Sequence, residues 1–295
     1  MMNKHILYIF CIVLFSLNLF SLPANAIKIG LMLDAKQISA GTSVKGVVYD
    51  AKTNKAICVL DPMTPYKLRA SKHSIEITIQ NKNYDLGTNF IRIKPSSDGF
   101  VCVKGKWYRG NLLITNRNKA LTVVNDIKLE DYLLGVVPSE MPSSWHKEAL
   151  KAQAIAARSY AVANLGKNGS KGFDLKDNTE DQAYGGASCE TERTNKIVAE
   201  TFGIVVTQNK QVITAFYCAS AGGQTSNSGD VWYKDMPYLK SVPSYDDNIK
   251  KMGHGIGMSQ HGANNLAKQG YNAYQILAYY YNNIKFGKLS KNWNL

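Results

Sequence analysis

The chain has 295 residues, of which 45% are apolar and 19% are charged, and its formal net charge at pH 7 is +13. This length suits one large domain or two ordinary ones, and the composition excludes a disordered chain or a long coiled coil. The basicity favours an anionic partner, such as nucleic acid, a membrane surface or the acidic polymers of a cell wall.

The first residues have the pattern of an export signal. Lys4 precedes an apolar run over residues 6–20, and residues 24–26 read Ala-Asn-Ala, as in a signal peptidase site. The run is short for a spanning helix, so residues 1–26 are interpreted as a cleaved signal peptide, with an uncleaved anchor as the alternative. We therefore expect an exported, wall-associated protein of the cell envelope, periplasm or extracellular space. No membrane span is expected after cleavage.

Four cysteines follow the signal segment: Cys58, Cys102, Cys189 and Cys218. An even number in an exported chain indicates two disulfides or isolated buried thiols, and sequence alone does not fix a pairing. One arrangement joins Cys189 to Cys218 and Cys58 to Cys102. The chain has no CxxC pair, so a four-thiolate zinc site has no local support.

Residues 27–106 are predicted to be rich in strands. Short apolar runs, such as 75–79 and 90–93, alternate with turn residues such as those at 96–99. The second part, residues 107–287, mixes strands with helices, and residues 288–295 form a basic tail. Because strands and helices do not alternate regularly, the predicted fold class is α+β, with the mixed part forming a substrate groove.

The helix predictions all fall in the second part of the chain. Pro138 is expected to stop the first helix, and Gly166 and Gly203 follow the next two. A hairpin is predicted over residues 204–217. The predicted helices cover residues 129–137, 146–165 (with Ser143 and Ser144 as N-cap candidates), 191–202 and 263–281.

Glu140 lies in a segment that reads Pro-Ser-Glu-Met-Pro over residues 138–142. Two prolines restrict the backbone, and the apolar neighbour can leave the carboxyl group poorly hydrated. Desolvation would raise the pKa of Glu140 and let it act as an acid near neutral pH. From local sequence alone, a solvated loop glutamate is the more common outcome.

A glycine-rich stretch over residues 253–262 reads GHGIGMSQHG. Alternating glycines let backbone amides approach a ligand, and His254, Ser259 and Gln260 can hydrogen-bond to it. The stretch is neither a dinucleotide fingerprint nor a Walker loop. His254 and His261 could contribute to a metal site, but an HExxH motif is absent.

Three other features have both a functional and a plain structural interpretation. In residues 215–225, Cys218 or Ser220 could pair with His254 as a nucleophile, although the GxSxG spacing is missing. Residues 182–186 could line a sugar groove or form an ordinary turn. Arg158, on a predicted helix, could be a solvent-facing charge. For nucleic acid the sequence offers only basicity, so that partner is not expected.

Several segments, taken in order, resemble the stage II sporulation protein D (SpoIID) family, which includes amidase enhancers. The resemblance covers about residues 107–287. It is carried by LEDYLLGVVPSEMPSSW at 129–145, EALKAQAIAARSYA at 148–161, YGG at 184–186, AFY at 215–217, SAGGQT at 220–225, VW at 231–232, PYL at 237–239 and GHGIGMSQ at 253–260.

The resemblance implies a lytic transglycosylase that cleaves the bond between N-acetylmuramic acid and N-acetylglucosamine in peptidoglycan, forming 1,6-anhydro ends. It implies that Glu140 is catalytic. The expected partners are glycan strands and a cell-wall amidase. The alternative function is a non-catalytic, wall-binding enhancer of an N-acetylmuramoyl-L-alanine amidase. The expected glycan-binding residues are Arg158, Gln182, Tyr184, Ser220, Gly222, Gly223, Thr225, His254, Gly255, Gly257, Ser259 and Gln260.

The sequence departs from the family pattern in two places. Some members bind zinc through Cys and His residues before the Gln-x-Tyr-x-Gly turn, but residues 178–182 here read NTEDQ. No metal and no other cofactor is therefore expected. The connection over residues 242–253 is short, so part of the groove wall is expected to be missing. Asp230, Asp246 and Asp247 are the candidates for the second carboxylate that a hydrolytic glycosidase would need.

Overall fold

A computed structural model describes residues 26–232 and 234–290 of the chain. Nearly all of the predicted signal peptide and the end of the predicted basic tail lie outside these residues. The described residues combine sheets and helices, with most strands in the N-terminal part, so the predicted α+β class is confirmed. None of their helices has the length and apolarity needed to cross a membrane.

The strands of the described residues are β1 (Ala26–Ala35), β2 (Gln37–Thr42), β3 (Gly46–Asp50), β4 (Ala56–Leu60), β5 (Tyr66–Ala70), β6 (Ile75–Ile79), β7 (Lys82–Asp85), β8 (Phe90–Pro95), β9 (Val101–Val103), β10 (Lys106–Tyr108), β11 (Asn111–Arg117), β12 (Ala120–Lys128), β13 (Leu175–Lys176), β14 (Ile204–Gln208), β15 (Gln211–Val212), β16 (Tyr217–Cys218), β17 (Met258–Ser259) and β18 (Lys285–Lys288). Their α-helices are α1 (Leu129–Glu140), α2 (Lys147–Ala163), α3 (Glu192–Glu200), α4 (Ser228–Val231), α5 (Gln260–Lys268) and α6 (Ala273–Tyr280).

Two sheets make up most of the N-terminal part. One has the strand order β13-β1-β12-β11-β8-β3-β4, and the other has the order β10-β9-β2-β5-β6-β7. Buried and accessible residues alternate along β11, as expected for a strand with one face against a core. The strand region continues through β12 to Lys128, and α1 follows without a loop. Strands before and after residue 106 therefore share the same two sheets.

Strand β13 joins the larger sheet far from its sequence neighbours. It pairs in parallel with β1, with Ile29 opposite Leu175. The residues after β13 belong to the segment that contains Gln182, so this pairing anchors that segment beside the sheet. A small parallel pair, β16 with β17, does the same for the segments around residues 217 and 258.

Helix α1 does not stop at Val137 as predicted. It continues through Pro138 to Glu140. A proline so near the C-terminus of a helix removes one backbone hydrogen bond, which is a limited loss. Val136 and Val137 are fully buried, and the amide of Met141 bonds to the Val137 carbonyl. The packing of this last turn therefore outweighs the effect of the proline.

Helix α2 is the central helix of the C-terminal part. It contacts α1, α3, α5, α6 and β14, and its many alanines allow these close approaches. Its N-cap is His146, whose ring nitrogen accepts from the Glu148 amide, so neither Ser143 nor Ser144 caps it. Because α2 is surrounded, its polar residues Gln153, Arg158 and Ser159 are buried.

The long helix predicted over residues 263–281 is in fact two helices, α5 and α6. Between them Gly270 has a φ of +96°, which a helix cannot accommodate. Asn272 then starts α6 with a capping box that involves Gln275. The predicted hairpin is also shorter than expected, since β14 pairs with the two-residue β15 and, on its other side, with β18.

The four cysteines of the described residues are free thiols. The suggested pairings of Cys189 with Cys218 and of Cys58 with Cys102 are therefore wrong. The Cys189 thiol instead donates to the carbonyl groups of Gly135 and Gly186, and Cys218 is buried. The alternative of isolated thiols holds.

Candidate active site

Glu140 is the last residue of α1, and three groups from distant segments converge on its carboxyl group. The backbone amide of Ala183 donates to Oε1 over 2.7 Å, and the Tyr217 hydroxyl donates to the same oxygen over 3.1 Å. The side-chain amide of Gln260 donates to Oε2 over 3.3 Å. The carboxyl group is thus held in one orientation by donors from three separate segments.

Burial raises the pKa of the Glu140 carboxyl above its usual range. The three hydrogen bonds from Ala183, Tyr217 and Gln260 act in the opposite direction, because they stabilise the carboxylate, but the net shift is upward. A carboxyl group with a raised pKa and donors in place for its ionised form can both release and recover a proton.

A chain of buried hydrogen bonds orients Tyr217. The side-chain amide of Gln182 donates to the Tyr217 oxygen over 2.9 Å and also to the Ala157 carbonyl. The Tyr132 hydroxyl donates to the other side of the Gln182 amide. Gln182 is fully buried, so its role in this structure is to position Tyr217.

The parallel pairing of β16 with β17 brings Tyr217 and Gln260 to the same carboxyl group. Tyr217 lies opposite Met258, two residues before Gln260. The approach requires a glycine at position 257, where φ is +74° and an added Cβ would lie 2.0 Å from the Phe216 carbonyl oxygen. The glycine-rich stretch is therefore needed here for close backbone packing.

Asp246 fixes the loops behind the site. Its buried carboxylate accepts from the hydroxyl groups of Ser220, Ser259 and Ser244 and from the backbone amides of Ala221 and Gly223. Burial alone would raise the pKa of Asp246, but these donors outweigh it and lower the pKa to about 2. The carboxylate is consequently ionised and holds three segments together.

A cavity of about 410 Å³ opens beside Glu140, a volume within the range of small-ligand sites. One wall is aromatic: the Phe216 and Trp232 rings lie 4.5 Å apart, and the Trp232 and His254 rings lie 5.1 Å apart. Burial and the nearby Lys251 charge lower the pKa of His254, so its ring is neutral at pH 7. The cavity therefore places the desolvated Glu140 carboxyl group next to apolar ring faces.

The structure brings three of the sequence-predicted residues to this cavity: Glu140, His254 and Gln260. Gly255 and Gly257 belong to the turn that supports His254 and Gln260. The remaining predicted residues have other partners. Ser220, Gly223 and Ser259 bond to Asp246, the Gly222 amide bonds to the Ser220 hydroxyl, and Thr225 exchanges bonds with the Val242 backbone.

Two of the expected glycan-binding residues, Arg158 and Tyr184, lie in the protein interior and do not line the cavity. Arg158 is fully buried and forms a two-pronged ion pair with Glu130, at 2.8 Å for each bond, with a further bond to the Ile204 carbonyl. It is neither a groove residue nor a solvent-facing charge, because α2 is enclosed. Tyr184 is 3% exposed and donates to Asn125 from within the core, so a glycan cannot reach it.

Sequence reasoning missed Tyr217 and Trp232, although both lie in the segments that carry the family resemblance. Tyr217 ends the hairpin predicted over residues 204–217 and begins β16, beside the two residues that were considered as nucleophiles. Those two are unsuited to that role: burial raises the pKa of Cys218 to about 11, and Ser220 donates to Asp246. The signal that could have identified Tyr217 is its position at the end of a strand, next to a glycine-rich loop.

None of Asp230, Asp246 and Asp247 lines the cavity, so these candidates for a second carboxylate are not supported. The acidic residues that do line it with Glu140 are Glu180 and Asp181. Asp181 accepts from Tyr160, from the Lys176 backbone and from Lys167, and Glu180 pairs with Lys176. Both carboxylates are therefore neutralised by neighbouring lysines.

The place where some family members bind zinc does not fit a zinc ion in this chain. Residues 178–181 supply neither Cys nor His, and Asp181 and Glu180 are occupied by the lysines just described. Zinc prefers thiolate and imidazole ligands. Among the described residues, His, Cys, Asp and Glu side chains do not assemble into a metal-binding group elsewhere either.

Comparison with known proteins finds a family match that lies within the part of the chain that carries the motifs. Residues 117–208 match the family described as "Stage II sporulation protein" (SpoIID). The amidase enhancer of Bacillus subtilis is 42% identical over 156 residues, which are 51% of this chain and 21% of that protein. Stage II sporulation protein D of the same organism is 36% identical over 169 residues, 52% of this chain and 48% of that protein.

An uncharacterized protein of Brachyspira hyodysenteriae is 34% identical over 204 residues, which are 64% of this chain and 55% of that protein. These alignments span about half of the curated relatives' length or less. The resemblance to the SpoIID family that the sequence motifs indicate is confirmed by these matches.

Proposed function

We propose that this protein, whose residues 117–208 match the SpoIID family, is a peptidoglycan lytic transglycosylase with Glu140 as its acid and base. The observation that carries the proposal is the carboxyl group of Glu140, which is desolvated and held by three hydrogen bonds beside an aromatic-walled cavity.

The reaction needs one proton donor. Protonated Glu140 gives its proton to the glycosidic oxygen as the bond to C1 of the N-acetylmuramic acid unit breaks. The resulting carboxylate takes the proton from the 6-hydroxyl of the same sugar while that oxygen bonds to C1. The products are a 1,6-anhydro end and a free 4-hydroxyl, and no water is consumed. The raised pKa of Glu140 favours its protonated starting form.

The surrounding groups have distinct tasks in this scheme. The Tyr217 hydroxyl and the Ala183 amide stabilise Glu140 when it is ionised. The Trp232 ring, next to His254 and Phe216, offers an apolar face for a sugar ring. Gln260 bonds to Glu140 from the opposite side and keeps the carboxyl plane fixed.

The test is product analysis on purified sacculi. Wild-type protein should release soluble muropeptides with 1,6-anhydro ends, and Glu140→Gln should lower the rate by about 10²–10⁴-fold. Binding to sacculi should be retained by the variant. Products with reducing ends would instead identify a hydrolase, and wild-type turnover by Glu140→Gln would remove this residue from the mechanism.

A second candidate function follows from the similarity to the amidase enhancer. In that case the protein binds the wall and raises the activity of an N-acetylmuramoyl-L-alanine amidase without cleaving glycan itself. A purified amidase assayed with and without this protein separates the two functions. Stimulation that persists in Glu140→Gln would favour the enhancer, whereas stimulation lost with Glu140 would link it to glycan cleavage.

Export remains part of the proposal. Cleavage after Ala26 would give an envelope protein that begins at Ile27. N-terminal sequencing of the exported protein tests this, and a sequence beginning at residue 1 or 2 would favour an anchor.

A further inference from the structure

Two cavities lie on the N-terminal sheets, away from Glu140. The first has a volume of about 770 Å³, and its lining includes Lys72, His73, Arg117 and Lys119. It is larger than the cavity beside Glu140 and shares no lining residue with it.

The second cavity, of about 420 Å³, adjoins the first. Both are lined by Asn89 and Arg117, so the two cavities adjoin at these residues. The second cavity adds the cations Lys28, Lys52 and Lys171. Neither cavity has an acidic residue in its lining. We call the two cavities together the basic trough.

The cations of the basic trough do not take part in the ion pairs of the described residues. None of them takes part in a salt bridge within residues 26–232 and 234–290. The Lys52 ammonium donates to the Asn89 side chain, and the Arg117 guanidinium donates to the Ser170 carbonyl. On adjoining turns, the carboxylates of Asp50 and Asp174 accept backbone amides. The positive charge of the trough is thus left for an external anion.

We propose that the basic trough binds one chain of a linear polyanion with a phosphate in each repeat. Guanidinium and ammonium groups, together with the Asn89 and Asn116 amides, supply the donors that phosphate oxygens require. Because the trough is concave, a single polymer chain can enter it, whereas a flat membrane surface can touch only its rim. The proposal goes beyond glycan cleavage and would place the protein on a wall that carries such a polymer.

Binding of this kind has a recognisable salt dependence. Each phosphate that pairs with a cation releases condensed counterions, so the affinity falls steeply as salt rises. The trough has seven basic residues, counting His73, and several contacts are expected to form at once. The affinity for the polymer should therefore drop by at least tenfold between 50 and 200 mM salt.

The decisive variant carries three substitutions in the trough: Lys72→Gln, Arg117→Gln and Lys171→Gln. Its matched control is Lys196→Gln, Lys250→Gln, Lys268→Gln, which removes the same charge from exposed positions elsewhere. The probe is poly(glycerol phosphate) of defined length, and the measurement is the Kd at two salt concentrations. The trough variant should lose at least tenfold in affinity, while the control should lose less than threefold. Equal losses would mean that net charge alone binds the polymer and would overturn the proposal.

Two further arms define the ligand. Polyglutamate of equal charge should bind at least tenfold more weakly than the phosphate polymer, and anionic lipid vesicles should not compete with it. Comparable binding of polyglutamate, or preference for vesicles, would contradict the phosphate assignment.

The double variant Lys72→Gln, Lys171→Gln keeps the Arg117 bond to Ser170, so the test remains valid if the triple variant does not fold. Glu140→Gln should bind the polymer normally, which separates this proposal from the catalytic one.

Discussion

The Tyr217 hydroxyl donates to Oε1 of Glu140 over 3.1 Å, although the two residues are 77 positions apart in the chain. The direction of this bond is set by Gln182, whose side-chain amide occupies the acceptor side of the same hydroxyl. Burial raises the pKa of Tyr217 well above its ordinary value, so it remains a neutral donor. The bond therefore favours the ionised form of Glu140.

Replacing Tyr217 with Phe should raise the pKa of Glu140 further. The lost hydroxyl stabilises the carboxylate, so its removal favours the protonated acid. In the pH profile of anhydro-product formation, the limb at which activity falls with rising pH should move to higher pH. The rate at the optimum should fall about tenfold, because the Glu140 carboxylate, which acts as the base, loses a hydrogen bond that stabilises it.

Tyr279→Phe is the control for this experiment. Its hydroxyl also bonds within the C-terminal part, to the Pro243 carbonyl, but does not line the cavity. It should leave the pH profile unchanged. A profile of Tyr217→Phe that coincides with that of the wild type would show that the bond does not tune Glu140.

The pH dependence of stability offers a measurement that needs no substrate. The folded-state pKa of Glu140 is raised, so its contribution to stability is fully present below the unfolded pKa of about 4.3. That contribution is lost as the pH rises through the folded pKa. Glu140→Gln lacks this loss. Between pH 4 and pH 8 its free energy of unfolding should therefore rise, relative to that of the wild type, by about 1.4 kcal/mol per unit of pKa shift.

Urea unfolding of both proteins across this pH range checks the prediction. Glu200→Gln serves as the control, since Glu200 is exposed and its pKa is lowered by Lys151. A constant difference between the wild type and Glu140→Gln would mean that the carboxyl group is not desolvated in the folded protein.

Asp246→Asn should destabilise the fold by about 3 kcal/mol. The carboxylate now accepts hydrogen bonds from several donors, among them the Ser259 hydroxyl and the Gly223 amide. The NH₂ group of asparagine cannot accept, so at least one of these donors would be left without a partner. The wild type should also lose stability as the pH falls from about 4 toward 2, because the folded pKa of Asp246 is lowered to about 2. The variant should lack that acid-side dependence.

Asp247→Asn is the neighbouring control, because Asp247 is exposed on the same turn. Its free energy of unfolding should stay within about 0.5 kcal/mol of the wild type. An equal effect of the two substitutions would contradict the role assigned to Asp246.

Trp232→Ala should weaken glycan binding more than it affects chemistry. The ring forms part of the cavity wall with Phe216 and His254, whereas the hydrogen bonds to Glu140 come from Ala183, Tyr217 and Gln260. We expect KM for sacculi or glycan strands to rise about tenfold, equivalent to about 1.4 kcal/mol, with a smaller change in kcat. Trp232→Phe should recover most of the loss. A fall in kcat with an unchanged KM would count against the stacking role.

The thiols give a direct test of the described cysteines. Unfolded, unreduced protein that begins at Ile27 should show four reactive thiols. In the folded protein Cys218 should be the slowest to react at pH 8, because burial raises its pKa to about 11 and thiolate is the reactive form. Two or fewer thiols in the unfolded protein would restore the disulfide interpretation.

Local sequence signals mark the segments of Glu140 and the glycine-rich stretch better than the groups that surround them. The prolines beside Glu140 and the glycine-rich stretch are local signals, and the structure brings both segments to one cavity. The partners of Arg158 and Tyr184 depend on how the helices enclose each other. Local patterns cannot reveal that Glu130 meets Arg158 or that Asn125 meets Tyr184, since those contacts span 28 and 59 residues.

The same limit explains the helix boundaries. Glycine at 270 could have been taken as a break in the last helix, because a positive φ is a local requirement. Pro138 is also a local signal, but here it misled, since buried neighbours hold the final turn in place.

The extension of α1 through Pro138 has an electrostatic consequence for the residue at its end. The carbonyl groups of the last helical turn point beyond the C-terminus and place a partial negative charge there, equivalent to about half an elementary charge. Glu140 occupies this pole. A negative charge at the C-terminal pole is disfavoured by about 0.3–1 kcal/mol, so the helix itself opposes ionisation of the acid. Had the helix ended at Val137, Glu140 would lie outside the last turn, where this effect fades.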